Sequence, residues 1–129
     1  MPATIALITL LTDNIAAMRE FYCTALGFTL KNDDGEYVEF EHDGVRFSIC
    51  TRTTMLQATG HPSYEFQRQG QAVELAFPAS NAAEVDTLYQ DLIAKGATPI
   101  KEPADMPWGQ RAAFFADPDG NIHELFAEL

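Results

Sequence analysis

Apolar positions at the start of the chain predict a strand followed by a helix. Residues 4–11 (TIALITLL) are β-branched and apolar on both faces, as expected for an interior strand. Residues 12–14 (TDN) offer side chains that cap helices, and apolar residues then recur at helical spacing from Ile15 to Leu26, until Gly27. The pattern therefore predicts an amphipathic helix of about three turns.

Three short runs of alternating polarity follow the first helix. They cover residues 28–31, 36–41 and 45–50, and Asp-Gly sequences at 34–35 and 43–44 mark the turns between them. The first half of the chain thus predicts the order βαβββ.

The second half repeats the same pattern. Residues 72–77 form another apolar run, and Asn81 with Glu84 resembles a capping box at the start of a second helix, which Gly96 ends. Strands are predicted at 97–101, 110–116 and 122–127. The two helix-ending glycines are 69 positions apart, so the unit occurs twice.

The predicted fold class is α+β, with two tandem βαβββ units in one domain of residues 1–129. We place the first unit at 1–52, a linker at 53–70 and the second unit at 71–129. The linker is polar and long, which is typical of a functional cover or of a segment with a short element of its own. Its aromatic residues Tyr64 and Phe66 are either lid residues over a pocket or anchors to a partner subunit.

Composition changes the list of expected partners. The chain has 129 residues, 47% of them hydrophobic, with 8 basic and 19 acidic residues and a net charge of −11. Such a charge repels phosphate backbones and anionic lipids, so neither nucleic acid nor a membrane is an expected partner. The absence of a long apolar run and of a basic N-terminal start leads us to expect a cytoplasmic location. Cys23 and Cys50 are expected to be buried free thiols.

The repeat, together with the sequence DPDGNIHEL at residues 117–125, resembles the vicinal oxygen chelate superfamily. That superfamily contains glyoxalases, extradiol dioxygenases, fosfomycin-resistance enzymes and bleomycin-binding proteins. The resemblance covers essentially the whole chain and implies a curved mixed sheet with a concave pocket, helices on its outer face, and a homodimer. It says little about the reaction, because one fold supports many functions.

The resemblance also implies four metal-ligand positions, which the repeat alignment assigns to Ala6, Ser48, Glu74 and Glu124. The histidine usual in the first strand is replaced by Ala6, and Glu74 stands where histidine is common. Two carboxylates and a hydroxyl are a poor donor set for a transition-metal ion, so no cofactor is expected. A divalent ion such as Mg²⁺ or Mn²⁺, held by Glu74, Glu124 and waters, is the alternative. His123 is expected on the opposite strand face, in a structural role.

Without a metal, Glu74 and Glu124 predict a coupled carboxyl pair. Like charges at close range raise the pKa of one partner, which suits a general acid/base or a clamp for a ligand amine, amide or hydroxyl. The alternative is a structural ion pair, in which Arg46 or Arg111 neutralises one of the two.

Further residues are predicted to contact a ligand. Arg46 and Ser48 share a strand face, and Arg46 and Arg111 are candidates for binding an anionic group. Trp108 is a candidate pocket wall, with core packing or an interface as its alternatives. Tyr64 and Phe126 are also predicted to contact the ligand. The carboxylates around the first hairpin are read as a solvated edge: Asp33, Asp34, Glu36, Glu39 and Glu41.

Three functions remain open from the sequence. The leading hypothesis is a small-molecule binder or metal-independent enzyme of the glyoxalase/bleomycin-resistance type, with Glu74 and Glu124 as its polar centre. The second is a metal-dependent lyase, isomerase or dioxygenase. The third is a structural or regulatory dimer whose pocket is unused. Whether the protein is an enzyme is left undecided.

Overall fold

Each half of the chain folds as a βαβββ unit, which confirms the α+β prediction. The computed structural model describes residues 2–129 and divides into two units, Met1–Gln69 and Gly70–Leu129. Each unit contains one four-stranded mixed sheet, in which the first strand is parallel to the last and the other pairs are antiparallel.

The first unit has the strand order β1-β4-β3-β2. A second helix and a short 3₁₀ helix follow its last strand. The bounds of these elements are β1 Leu7–Thr12, α1 Ile15–Thr24, β2 Leu30–Asp33, β3 Tyr37–Phe40, β4 Arg46–Thr51, α2 Arg52–Thr59 and the 3₁₀ helix Pro62–Glu65.

Helix α1 covers one face of the first sheet. It begins at its cap residue Asn14, whose side chain accepts a hydrogen bond of 3.1 Å from the N–H of Ala17. Its fully buried Tyr22 packs against Phe40 and Phe47, with ring centroids 5.8 and 5.4 Å apart. Because side chains alternate along a strand, the neighbours of Phe40 and Phe47 along β3 and β4 point away from α1. In each unit, we call the side of the sheet that is turned away from its helix, α1 or α3, the far face.

The second unit has the strand order β5-β8-β7-β6. Its helix contacts β6, β7 and β8 and begins at Asn81, whose side chain accepts from the N–H of Glu84 at 2.9 Å, as the capping pattern predicts. The elements are β5 Ala76–Pro78, α3 Ala82–Ala94, β6 Thr98–Asp105, β7 Gln110–Ala116 and β8 Ile122–Glu128.

The opening strand of the second unit is shorter than predicted, because side chains replace part of its backbone ladder. The side chain of Gln71 accepts from the N–H of Ile122 and donates to the C=O of Gly120, at 3.0 and 2.9 Å. The N–H of Leu75 donates to Nδ1 of His123 at 3.1 Å. Residues 71–75 therefore lie along β8 without forming a regular strand.

The predicted linker contains two elements of its own. Helix α2 follows β4 directly, and the hydroxyl of Thr51 accepts from the N–H of Thr54 at 3.2 Å to cap it. Gly60, with a φ of 67°, ends this helix.

Both cysteines are free thiols, with Cys50 buried and Cys23 half-buried. Burial is the main factor that raises the pKa of each thiol, which disfavours the nucleophilic thiolate. Across residues 2–129, no helix combines the length and the apolar character that crossing a membrane requires.

Candidate functional site

Glu124 lies on the far face of the second sheet. It is 8% exposed and has Ala76 of β5 and Phe114 of β7 as its cross-strand neighbours. Phe126, two residues further along β8, lies on the same face. A carboxyl group is thus buried among small and aromatic side chains.

The side chain of Glu74 is the partner of this buried carboxyl group. Burial raises the pKa of Glu124, and the negative charge of Glu74 and a hydrogen bond between the two side chains raise it further. No lysine or arginine within Gly70–Leu129 forms an ion pair with either glutamate. The structure thus brings together the two carboxyl groups that the repeat alignment selected.

A pocket of about 280 Å³ opens beside Glu74. Its lining is mostly apolar and carries one carboxyl group. The lining residues are Gln71, Ala72, Val73, Glu74, Phe114 and Ile122. The sequence does not decide which of Phe114 and Phe115 faces a cavity; the structure places Phe114 in the pocket and Phe115, fully buried, on the helix face.

His123 lies on the helix face and not beside the carboxyl pair. It is fully buried, its Nδ1 accepts from the N–H of Leu75, and its Nε2 is 3.7 Å from Oδ2 of Asp117. Since Leu75 adjoins Glu74 and His123 adjoins Glu124, this hydrogen bond sets the spacing between β8, which carries Glu124, and the irregular segment that carries Glu74. Sequence alternation correctly predicts the face of His123 but not its partner.

Arg111 also lies on the helix face, so it is not the ion-pair partner of Glu74 or Glu124 that the structural alternative requires. Its Cα partner is Ala127, and the guanidinium donates to Asp86 of α3 at 2.8 and 3.2 Å and to Asp105 at 3.1 Å. Arg111 therefore ties α3 to the sheet and does not neutralise Glu74 or Glu124.

Arg46 forms an ion pair with Glu39, on the far face of the first sheet. Its Nε and Nη2 donate to the two carboxylate oxygens at 2.9 and 2.6 Å. Glu39 is 2% exposed, so its predicted place on a solvated edge is wrong. The hydrogen bonds from Arg46 and from the hydroxyl of Tyr37 outweigh burial and lower the pKa of Glu39 to about 2. The predicted pairing of Arg46 with Glu74 or Glu124 is therefore replaced by a pair within the first unit.

Ser48 lies next to this ion pair. It is fully buried, is the Cα partner of Glu39, and shares a hydrogen bond of 2.8 Å with the hydroxyl of Thr9. The hydroxyl that the alignment placed at a ligand position thus has a partner inside the first sheet.

The remaining predicted contacts are more exposed. Trp108 is 59% exposed in the turn before β7, where its Nε1 donates to the side chain of Gln110 at 3.0 Å. Tyr64 is half-buried in the 3₁₀ helix, and its C=O accepts from Arg52 at 3.0 Å.

The residues present do not fit a transition-metal site. Ala6 has no donor side chain, and its C=O accepts from the N–H of Arg46 at 2.9 Å. Within residues 2–129, no three or more His, Cys, Asp or Glu side chains are grouped closely enough to hold a metal ion. The donor set at the expected positions of the second unit is the two carboxyl groups of Glu74 and Glu124.

Comparison with known proteins identifies the family. Residues 4–125 match the model of the Glyoxalase/Bleomycin resistance protein/Dioxygenase superfamily, and the chain belongs to that family. The chain is 29% identical over 125 residues to the Bacillus subtilis protein YraH, a match that covers 95% of this chain and 96% of YraH.

The solved structures that are similar to this chain include the following two. A glyoxalase/bleomycin resistance protein/dioxygenase from Nocardioides has a TM-score of 0.89 and 34% identity, covering 100% of this chain and 85% of that one. A lactoylglutathione lyase from Agrobacterium tumefaciens has a TM-score of 0.76 and 23% identity, covering 98% and 95%. The second likeness concerns the fold alone.

Proposed function

We propose that the protein binds a small organic molecule through the carboxyl pair of Glu74 and Glu124, with an amine, amide or hydroxyl of the ligand at that pair. The observation that supports this most is the raised pKa of Glu124, a buried carboxyl beside a second carboxyl with no cation of its own unit to neutralise it. An unneutralised pair favours a ligand that brings positive charge or hydrogen-bond donors.

The surroundings of the pair support an apolar body on the ligand. The pocket beside Glu74 is lined by Val73, Phe114 and Ile122, and its volume of about 280 Å³ suits a small aromatic or branched aliphatic group. We propose Phe126, on the same face as Glu124, as a further apolar contact. If a reaction occurs there, the raised pKa of Glu124 favours this carboxyl group as the general acid, and its ionised form as the proton acceptor.

Benzylamine, which joins an ammonium group to an aromatic ring, is the probe that tests this proposal. Its binding is followed by NMR chemical shifts in the wild type and in the double variant Glu74→Gln/Glu124→Gln. Loss of charge-assisted hydrogen bonds worth about 1.5–3 kcal/mol predicts at least about tenfold weaker binding. The matched control is Asp91→Asn/Glu102→Gln, which removes the same charge at exposed positions of the second unit. Equal affinity in both double variants would refute the role of the pair.

The proposal has three further parts. The protein acts as a homodimer, which the exposed apolar side chains of Ile5 and Phe66 support. It carries no resident metal, which the poor donor set supports. It works in the cytoplasm, in agreement with its two free cysteines.

A metal-dependent lyase, isomerase or dioxygenase is the second candidate, favoured by the two adjacent carboxyl groups and by family membership. Elemental analysis of protein purified without affinity metals, followed by thermal shifts with Mg²⁺, Mn²⁺, Fe²⁺, Co²⁺, Ni²⁺ and Zn²⁺ after chelation, separates the two. Near-stoichiometric metal, with a selective shift that Glu124→Gln abolishes, would establish the second candidate.

A further inference from the structure

A cluster of four side chains on the far face of the first sheet is locally positive in a strongly acidic protein. It consists of Lys31, Tyr37, Glu39 and Arg46, which we call the Arg46 cluster. Two of the chain's 8 basic residues meet here around one carboxylate, whereas the whole chain has a net charge of −11. The charges of the cluster sum to about +1 at neutral pH.

The guanidinium of Arg46 binds Glu39 through one of its two bidentate edges, and it also interacts with the hydroxyl of Tyr37. Its Nε and Nη2 bind Glu39 side-on, at 2.9 and 2.6 Å. A guanidinium has five N–H donors, so the edge formed by Nη1 and the second N–H of Nη2 lies outside the pair with Glu39. The Arg46 side chain is 53% exposed, so this edge is accessible to a ligand.

The buried Glu39 fixes the orientation of that guanidinium. Its carboxylate accepts from Arg46 through both oxygens and from the hydroxyl of Tyr37 at 3.1 Å. An arginine fixed in this way loses little side-chain entropy when it binds a second anion. Glu39 and Tyr37 thus act as positioning residues.

Lys31 places a second cation at the same site. Its Nζ lies 3.7 Å from Oε2 of Glu39, and its side chain is 48% exposed. Leu7 lies on the other side of Arg46. It is the Cα partner of Arg46 in β1, and its exposed side chain offers an apolar surface next to the charges.

We infer that the Arg46 cluster is a binding site for the carboxylate of a small organic acid, in which the second edge of Arg46 binds the carboxylate, Lys31 adds charge and Leu7 contacts the apolar body. A carboxylate matches the spacing of the second guanidinium edge. The site lies within the first unit and does not depend on the carboxyl pair proposed above.

Benzoate is the probe that tests this inference, and benzamide, which has the same shape without the charge, is its control. Binding is followed by NMR through the side-chain Nε–H of Arg46 and the amides of Leu7 and Lys31. We expect saturable one-to-one shifts at these groups with benzoate and none with benzamide.

Three variants locate the site. Lys31→Gln is expected to weaken benzoate binding by at least about threefold, and Lys101→Gln, which removes the same charge from an exposed position of the second unit, by less than about 1.5-fold. Arg46→Lys keeps the charge but lacks a second bidentate edge, so it is expected to weaken binding by about tenfold. Equal losses in the two lysine variants, or equal shifts with benzoate and benzamide, would overturn the inference.

Discussion

Leu75 and His123 are joined by a hydrogen bond from a main-chain N–H to a buried imidazole nitrogen, 3.1 Å long. Glu74 precedes Leu75 and Glu124 follows His123, so a contact on the helix face fixes the positions of two carboxyl groups on the far face. Because Nδ1 of His123 accepts this bond, it carries no proton, and Nε2 is the ring nitrogen that lies 3.7 Å from Oδ2 of Asp117.

Replacing His123 is therefore expected to change the pKa of Glu124, although the side chain of His123 lies on the opposite face of the sheet. His123→Leu keeps a similar volume but leaves the N–H of Leu75 without its acceptor, at a cost of about 1–3 kcal/mol. We expect faster hydrogen exchange at Leu75 and a pKa of Glu124 closer to its ordinary value, both measured by NMR.

The neighbouring variant Phe115→Leu is the control for this prediction. Phe115 packs against His123 with ring centroids 5.9 Å apart and takes no part in the bond to Leu75. It should lower stability and leave the pKa of Glu124 unchanged. If both variants shift that pKa equally, His123 has only a packing role.

Stability is expected to fall as the pH rises through the pKa of Glu124. This pKa is raised in the folded state, so the folded protein binds the proton more tightly than the unfolded chain does. The resulting stabilisation is present below the ordinary glutamate value of 4.5 and is lost as the pH rises through the folded-state pKa. Urea unfolding from pH 4 to pH 8 should show the wild type losing stability relative to Glu124→Gln. Parallel curves for the two proteins would contradict the expectation.

The opposite pH dependence is expected for Glu39. Its folded-state pKa of about 2 lies below the ordinary 4.5, so its contribution to stability is present above 4.5 and is lost as the pH falls towards 2. Acid unfolding followed by circular dichroism should show a steeper loss between these values in the wild type than in Glu39→Gln. If the wild type and Glu39→Gln unfold equally steeply with falling pH, the ion pair with Arg46 has no effect on the proton affinity of Glu39.

Trp108 provides a test of the structural-dimer hypothesis. Its side chain is 59% exposed, so iodide should quench the fluorescence of this single tryptophan readily at all protein concentrations. Protection that appears only above a dimer dissociation point would instead place Trp108 at an interface between copies of the chain.

Local signals in the sequence predict helices α1 and α3 well, whereas α2 and the 3₁₀ helix lie in the predicted linker. Asn14 and Asn81 cap α1 and α3 as predicted, because capping depends on residues within one turn. The repeat alignment also selects Glu74 and Glu124 as neighbours, because equivalent residues of two units with the same fold occupy equivalent positions in their sheets.

What the sequence does not predict depends on contacts distant along the chain. The burial of Glu39 follows from its register opposite Ser48, and the face of Arg111 follows from its register opposite Ala127. The irregular course of residues 71–75 depends on His123, 48 residues beyond Leu75. Neither strand register nor a side-chain acceptor of this kind follows from local polarity.

The most direct test of the account is an NMR titration of the side-chain carboxyl carbon of Glu124 in the wild type and in Glu74→Gln. We predict a pKa above 4.5 in the wild type and a lower one in Glu74→Gln, still above 4.5 because burial remains. Glu102→Gln should leave it unchanged. An ordinary pKa for Glu124, or one that Glu74→Gln does not lower, would contradict a coupled carboxyl pair as the centre of the site.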